Sequence, residues 1–351
     1  MPAKPFYLDH AATTPLLPAA RAAMLAGFNL WANPSSPHAA GRTARAALED
    51  ARARVKAALG WTGEVVFTSG ASEALAIGLG RAHVDRRIVT AVEHDAVFRA
   101  APDADVLPIR NGEPDSAALA ALLAAPGRAV VAVQSINSET GTVLMPFAQN
   151  PIAHQIREAG GILLADCSQS AGKSPLPDAD MIVVSAHKFG GPIGIGALLV
   201  RDWAMLEPTG GQERGYRPGT ENLPGALGFA AALEESDIES WPTTAEQRFD
   251  FKNALFRHGE VLTPGCQCSH IFAVAAPRIA ATTMLIRMDS LGFAISAGSA
   301  CSSGTLKPSK VLEGFGIHPD IARRTVRISL GWNTTPAELE AFAQAWAEVN
   351  R

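Results

Sequence analysis

Between residues 64 and 200, short apolar runs alternate with stretches of helical patterning, and this alternation restricts the fold more than any other feature of the chain. Strands are expected at 64–68, 87–92, 105–108, 129–134, 162–166, 181–184 and 196–200. Runs such as Ile162-Leu163-Leu164-Ala165 and Met181-Ile182-Val183-Val184 are apolar at every position, as in strands covered on both faces. Helices are expected at 16–28, 42–59, 72–79, 115–124 and 147–159. Such alternation predicts a mostly parallel sheet wrapped by helices. Ligands of these sheets gather beyond the carboxyl ends of the strands.

A helix at 223–235 closes this region, and the acidic, Trp- and Pro-bearing stretch 236–244 reads as a hinge. Beyond it, strands are expected at 271–275, 282–287 and 324–330, with helices at 309–315 and 336–349. The predicted organisation is a large domain over 14–238 and a smaller α+β domain built from 1–13 and 239–351. A net charge of −4 and a pI near 6.1 argue against a nucleic-acid partner. The start lacks the apolar core of a signal peptide, and no apolar run is long enough to span a bilayer, so a cytoplasmic location with no membrane partner is expected. Cys167, Cys266, Cys268 and Cys301 form neither a disulfide framework nor a zinc pattern, and no metal is expected.

The strand at 181–184 ends in Ser185-Ala186-His187-Lys188, followed by the turn Gly190-Gly191-Pro192-Ile193-Gly194. A lysine at the mouth of a buried strand is a poor packing choice, but burial favours its neutral, nucleophilic amine. Phe67-Thr68-Ser69-Gly70-Ala71-Ser72-Glu73 passes from strand to helix through small residues, whose free N–H groups and hydroxyls make a phosphate seat. Asp166, ending an apolar strand, suits the nitrogen of a protonated pyridine. In Glu93-His94-Asp95, His94 adds an imidazole that can stack on a ring or move protons. Each feature alone has an ordinary structural reading: a cap, a buried ion-pair partner, a core histidine. Together, all at strand ends, they describe a pyridoxal-phosphate pocket.

These residues also carry a resemblance. Tyr7-Leu8-Asp9-His10-Ala11-Ala12-Thr13-Thr14-Pro15, Asn33-Pro34-Ser35-Ser36, the Phe67–Ser72 turn, Ser185-Ala186-His187-Lys188, Gly210-Gly211-Gln212-Glu213, Arg217-Pro218-Gly219-Thr220-Glu221-Asn222 and Ser299-Ala300-Cys301-Ser302-Ser303-Gly304 follow in an order and spacing similar to the cysteine desulfurases. These belong to the class V aminotransferases, within the fold-type-I pyridoxal-phosphate enzymes. The resemblance implies an aspartate aminotransferase-like fold with a mostly parallel seven-stranded sheet in the large domain.

It also implies roles. Lys188 would hold pyridoxal 5'-phosphate covalently and move protons on the substrate. Asp166 would pair with the ring nitrogen, His94 would stack on the ring and Gln169 would meet its phenolic oxygen. Ala71, Ser72, Ser185 and His187 would surround the phosphate. Thr220 would reach the phosphate of a partner subunit, which implies a homodimer. Arg327 would clamp the carboxylate of L-cysteine, with Asn33 assisting. Cys301, among small polar residues that predict a mobile loop, would take the sulfur as a persulfide, with His94 as its proton acceptor, and pass it to an acceptor protein such as an iron–sulfur scaffold. L-Alanine would be released.

The chain departs from the family in three respects. Ser138 stands for the second of two usual asparagines, Pro218 replaces a usual serine, and the stretches 173–180 and 235–296 are short. The alternatives are a selenocysteine lyase or a small amino-acid transaminase on the same scaffold, or a non-catalytic binding relative. A transaminase needs no thiol at Cys301, and an inert relative needs neither Lys188 nor Asp166.

Overall fold

The computed structural model describes residues 6–146, 151–297 and 309–351. Its centre is a seven-stranded sheet in the order Glu64–Thr68, Gly196–Val200, Met181–Ser185, Ile162–Asp166, Ala129–Gln134, Arg86–Thr90, Asp105–Leu107. All neighbours are parallel except the two pairs made by Gly196–Val200. That reversal leaves the other six strands pointing the same way, so their carboxyl ends share one edge. Ala129–Gln134, Ile162–Asp166 and Met181–Ser185 are buried at every residue, which explains the unbroken apolar runs.

Helices cover both faces. Ala39–Ala58 and Leu223–Glu235 close one core with Leu48, Val55 and Phe229, while Ala71–Gly80 and Asp95–Ala100 close the other with Leu75, Leu79 and Val97. Each fully buried side chain of this size is worth about 1.5–3 kcal/mol of transfer free energy. Local signals fix the helix starts. His38 accepts the amide of Gly41, and Thr335 with Glu338 forms a reciprocal box ahead of the last helix, Pro336–Val349.

A second, three-stranded antiparallel sheet, Glu260–Leu262, Ile271–Ala275, Thr325–Ser329, packs on helices Ala245–Phe256, Ala281–Ser290 and Pro336–Val349. Its core gathers Trp241, Phe251, Phe272, Phe342 and Trp346, and it includes Leu8 from the start of the chain. Phe6–Tyr7 pairs with Phe293–Ala294, and Asp9 bridges to Ser329. The N-terminal segment therefore runs along the second sheet before the chain continues into the helices that precede the first.

The stretch 282–287 is not the expected strand but part of helix Ala281–Ser290. Thr282 and Thr283 favour a strand, but Ala281, Met284 and Met288 are buried at a spacing of three to four, and tertiary burial decides for the helix. The helix Ala245–Phe256 and the strand Glu260–Leu262 were not anticipated, the first because Arg248 interrupts its buried face. In the helix expected at 147–159, Pro151–Glu158 is helical and residues 147–150 lie outside the described residues.

Candidate active site

Lys188 leaves the sheet at the end of Met181–Ser185, in the single 3-10 turn Ala186–Lys188. The turn is tight because glycines follow it: Gly190 and Gly194 have φ of +92° and +81°, which few side chains tolerate. A side chain at Gly196 would run into the Val184 carbonyl and the Gly70 turn. The strand carrying Lys188 is thereby held against the turn of the phosphate seat. Lys188 Nζ donates to the carbonyls of Ala11 (2.7 Å) and Ala12 (2.8 Å). Burial, then the charge of Arg327, lowers its pKa to about 8, so far more of the amine is neutral near physiological pH than in an ordinary lysine.

The phosphate seat forms where Glu64–Thr68 turns into Ala71–Gly80. Gly70 at φ +150° lets the chain reverse so that the first amides of the helix face the cavity. The Glu73 carboxylate accepts the Ser69 amide at 2.5 Å and pairs with Arg217 at 3.2 Å. A further clamp lies behind. Arg52 and Glu213, 4% and 3% exposed, form a two-point ion pair at 2.8 and 3.0 Å, and Glu213 also accepts the Phe67 amide. Glu213 and Arg214 hold left-handed φ values of 48° and 57°, unusual for residues with side chains.

Asp166 ends Ile162–Asp166, and its Oδ1 accepts the amide and hydroxyl of Ser168. Gln169 is buried, with Nε2 on the Ala11 carbonyl and Oε1 unpartnered. His94 begins the helix Asp95–Ala100, and its Nδ1 accepts the Ala96 amide at 3.1 Å. Its neutral ring therefore carries the proton on Nε2, and burial lowers its pKa. A donor Nε2–H suits a neighbouring acceptor, which alters the expectation that His94 takes a thiol proton. His187 Nδ1 lies 3.1 Å from the Thr13 hydroxyl, and burial lowers its pKa to about 4.

At the other end, Arg327 projects from Thr325–Ser329 of the second sheet. Its two terminal nitrogens donate to Asp9 Oδ1 (2.8 Å) and the Ser138 carbonyl (3.0 Å), while Nε is buried without a partner. The contact to Ser138 uses backbone, so the change from the family's asparagine leaves this support in place. Glu139 accepts the Ser309 hydroxyl at 2.6 Å, and burial raises its pKa.

One cavity of about 880 Å³ collects Ala71, Ser72 and Ser185 with His187 and Lys188, and His94, Asp166 and Gln169 with Arg327. Asn33 and Thr220 do not line it. Asn33 instead accepts the amide of Ser35, and Thr220 is exposed outside. Cys301 lies outside the described residues. Sequence reasoning missed Asp9 and Glu93 as members of the site. Glu93 sits beneath His94, bonded to the Thr90 hydroxyl and the Gln134 amide, with Oε2 unpartnered. Burial pushes its pKa up to about 8, and Asp166's charge adds to the rise against the Thr90 bond. Its place before His94 is plain in the sequence, but the burial that gives it importance is not.

The donor set suits pyridoxal phosphate. A buried amine, a carboxylate, an imidazole and an amide-lined turn open into one space, and the orphaned Gln169 Oε1 awaits a donor or water. Among the described residues no cluster able to hold a metal ion occurs.

The aminotransferase class-V family model matches residues 6–342. A cysteine desulfurase of Bradyrhizobium diazoefficiens is 33% identical, covering 98% of this chain and 94% of that protein. Another, from Frankia sp., is 37% identical, covering 98% and 90%. Among solved structures, a NifS-like protein superposes with a TM-score of 0.86 at 27% identity, covering 98% of this chain and 99% of the other. A structure described as SspA in complex with cysteine gives 0.78 at 28% identity, covering 94% and 99%.

Proposed function

The chain belongs to the aminotransferase class-V family, and from that membership we propose that it is a pyridoxal-phosphate-dependent cysteine desulfurase, taking sulfur from L-cysteine and releasing L-alanine. The observation that carries this reading is the single cavity in which Lys188, Asp166 and His94 at the strand ends face Arg327 from the second sheet. Lys188 and Arg327 line that one cavity, and we read them as the two contacts of one small amino acid carrying one carboxylate. Pyridoxal phosphate, when bound, supplies a carbonyl for amine exchange and a protonated ring that draws electrons from the substrate's α-carbon.

The chain's own residues do the rest. Amides of the Gly70–Ser72 turn, with the Ser72 and Ser185 hydroxyls and His187, seat the phosphate. Asp166, held by Ser168, keeps a proton on the ring nitrogen, and the neutral His94 covers the ring face. Lys188, freed from the Ala11 and Ala12 carbonyls, takes the α-proton and returns it. Arg327 holds the carboxylate through the N–H groups that Asp9 and Ser138 leave free, Nε–H among them. Cys301 takes the substrate sulfur: the S–S bond forms as the C–S bond breaks, and the electron pair left on the β-carbon takes a proton to complete alanine. The role of Cys301 rests on its sequence motif.

The site is read as shared within a homodimer, with Thr220 turned toward a partner's phosphate. Trp31 and Ile193 are 80% and 78% exposed, and Phe28 stacks on Trp31, an apolar patch that a second copy would cover. Gly228 sits between Met24 and Pro192, which draws these elements onto one face. The proposed division is 14–238 and 1–13 with 239–351, supported by Leu8 and Trp241 in the second core. The acceptor is read as a partner protein of the iron–sulfur scaffold kind, and the compartment as cytoplasm. No helix among the described residues is long and apolar enough to cross a membrane. The test is an assay for alanine and sulfide from L-cysteine, with and without thiol reductant. Alanine formed with sulfide only under reductant supports the reading. 3-Mercaptopyruvate, the keto acid that keeps the sulfur, in place of alanine indicates the transaminase alternative.

A further inference from the structure

We propose that Asp9 is a positioning residue for the substrate carboxylate, because it fixes the plane in which Arg327 presents its guanidinium. This rests on the reading that Arg327 binds that carboxylate. Arg327 and Asp9 have side chains 8% and 19% exposed and meet at 2.8 Å. Asp9 is not a mobile surface acid. The segment that carries it is tied down on both sides: the amide of Leu8 donates to Ala294, and that of Ser329 donates to Leu8. Asp9 itself bridges to Ser329, two residues along the strand from Arg327. Its carboxylate therefore reaches the guanidinium from a neighbouring, fixed backbone.

A guanidinium offers five N–H groups in one plane. With one terminal nitrogen on Asp9 and the other on the Ser138 carbonyl, rotation of that plane is stopped at two points. Nε–H is buried and unpartnered, and it and the second N–H of each terminal nitrogen remain for a carboxylate arriving from the cavity. The same segment accepts Lys188 Nζ on the carbonyls of Ala11 and Ala12. Residues 9–12 thus set the separation between the amine and the guanidinium, the two groups that must engage one amino acid together. Asp9 touches neither reacting atom. Its effect passes through Arg327.

The test uses cofactor-free protein and two stable conjugates, phosphopyridoxyl-L-alanine and phosphopyridoxyl-ethylamine, which differ by the carboxylate alone. Calorimetric titration of each gives an affinity ratio that isolates the carboxylate. A general loss of folding weakens both conjugates alike and leaves the ratio unchanged. Asp9→Ala is expected to lower the ratio by about tenfold or more, the scale of a charge-assisted hydrogen bond. Asp9→Asn keeps an acceptor in place, folds with less disturbance, and should lower the ratio by only about threefold. Arg327→Gln should bring the ratio close to one. A ratio unchanged, or raised, in both Asp9 variants while Arg327→Gln collapses it overturns the role of Asp9. A ratio unchanged in Arg327→Gln overturns the carboxylate reading, and the proposal with it.

Discussion

Replacing Glu213 by Ala removes one half of a buried ion pair and leaves Arg52 facing Val65, Phe67 and an empty site. Arg52 is 4% exposed, so little water can reach a guanidinium left with only the partly exposed Glu49, 3.2 Å from its Nε, and the Val65 carbonyl. Breaking such a pair from one side costs about 3–5 kcal/mol. The loss includes the amide of Phe67, whose acceptor is Glu213 Oε2 at 2.9 Å. For 351 residues, an unfolding entropy of roughly 2.1 cal/mol/K per residue gives about 0.7 kcal/mol/K, so the melting temperature should fall by about 4–7 °C. Releasing Glu213 also frees the left-handed backbone at 213 and 214, and with it the segment that Arg217 ties to the phosphate seat through Glu73. Pyridoxal phosphate should then bind more weakly, whereas pyridoxal, lacking the phosphate, should lose less. Scanning calorimetry with and without each ligand measures both effects. Replacing the pair together, Arg52→Met with Glu213→Leu, should recover much of the stability but not the phosphate preference. A Glu213→Ala protein that melts within a degree of wild type and keeps that preference would falsify the clamp.

Lys188→Ala should bind the cofactor reversibly and retain none after borohydride treatment and denaturation. Mass mapping that finds it on another lysine contradicts the assignment. Cofactor capture by the wild type should accelerate as pH rises through about 8, where burial and Arg327 place the Lys188 pKa. A rise delayed toward 10.5, the ordinary lysine value, contradicts this. Glu93, raised from 4.5 to about 8, binds its proton more tightly folded than unfolded, so its contribution to stability is lost as pH climbs across that interval. Glu93→Gln should therefore gain melting temperature relative to wild type between pH 5 and 8 and hold a constant offset above it; parallel curves from pH 5 to 8 exclude the shift. Trp31→Asp should turn a dimer into a monomer in sedimentation, and a wild type already monomeric at micromolar concentration removes the shared-site reading.

The large sheet was legible because its inner strands are buried on both faces, which leaves unbroken apolar runs between helical stretches. The helix Ala281–Ser290 was not, since adjacent threonines favour a strand and only the burial of Met284 and Met288, set by the second core, reveals the helical period. Lys188, Asp166 and His94 could be found because polar residues that end apolar strands stand out. Asp9 and Glu93 could not, because their importance lies in what they face. Asp9 becomes visible only when the strand carrying Arg327 is laid beside it. Glu93 becomes visible only when the floor of the cavity closes around its carboxyl group. Asn33 is the reverse case: its motif was legible, but its side chain serves the turn it sits in.

The proposed reaction depends most directly on where the sulfur goes. Wild-type protein mixed with L-cysteine in the absence of reductant, digested and examined by mass spectrometry, should carry one added sulfur atom on the peptide containing Cys301, with alanine formed alongside. Cys301→Ser should bind cofactor and L-cysteine yet release no alanine. Sulfur found on Cys167, Cys266 or Cys268 and not on Cys301, or alanine release undiminished in Cys301→Ser, contradicts the account.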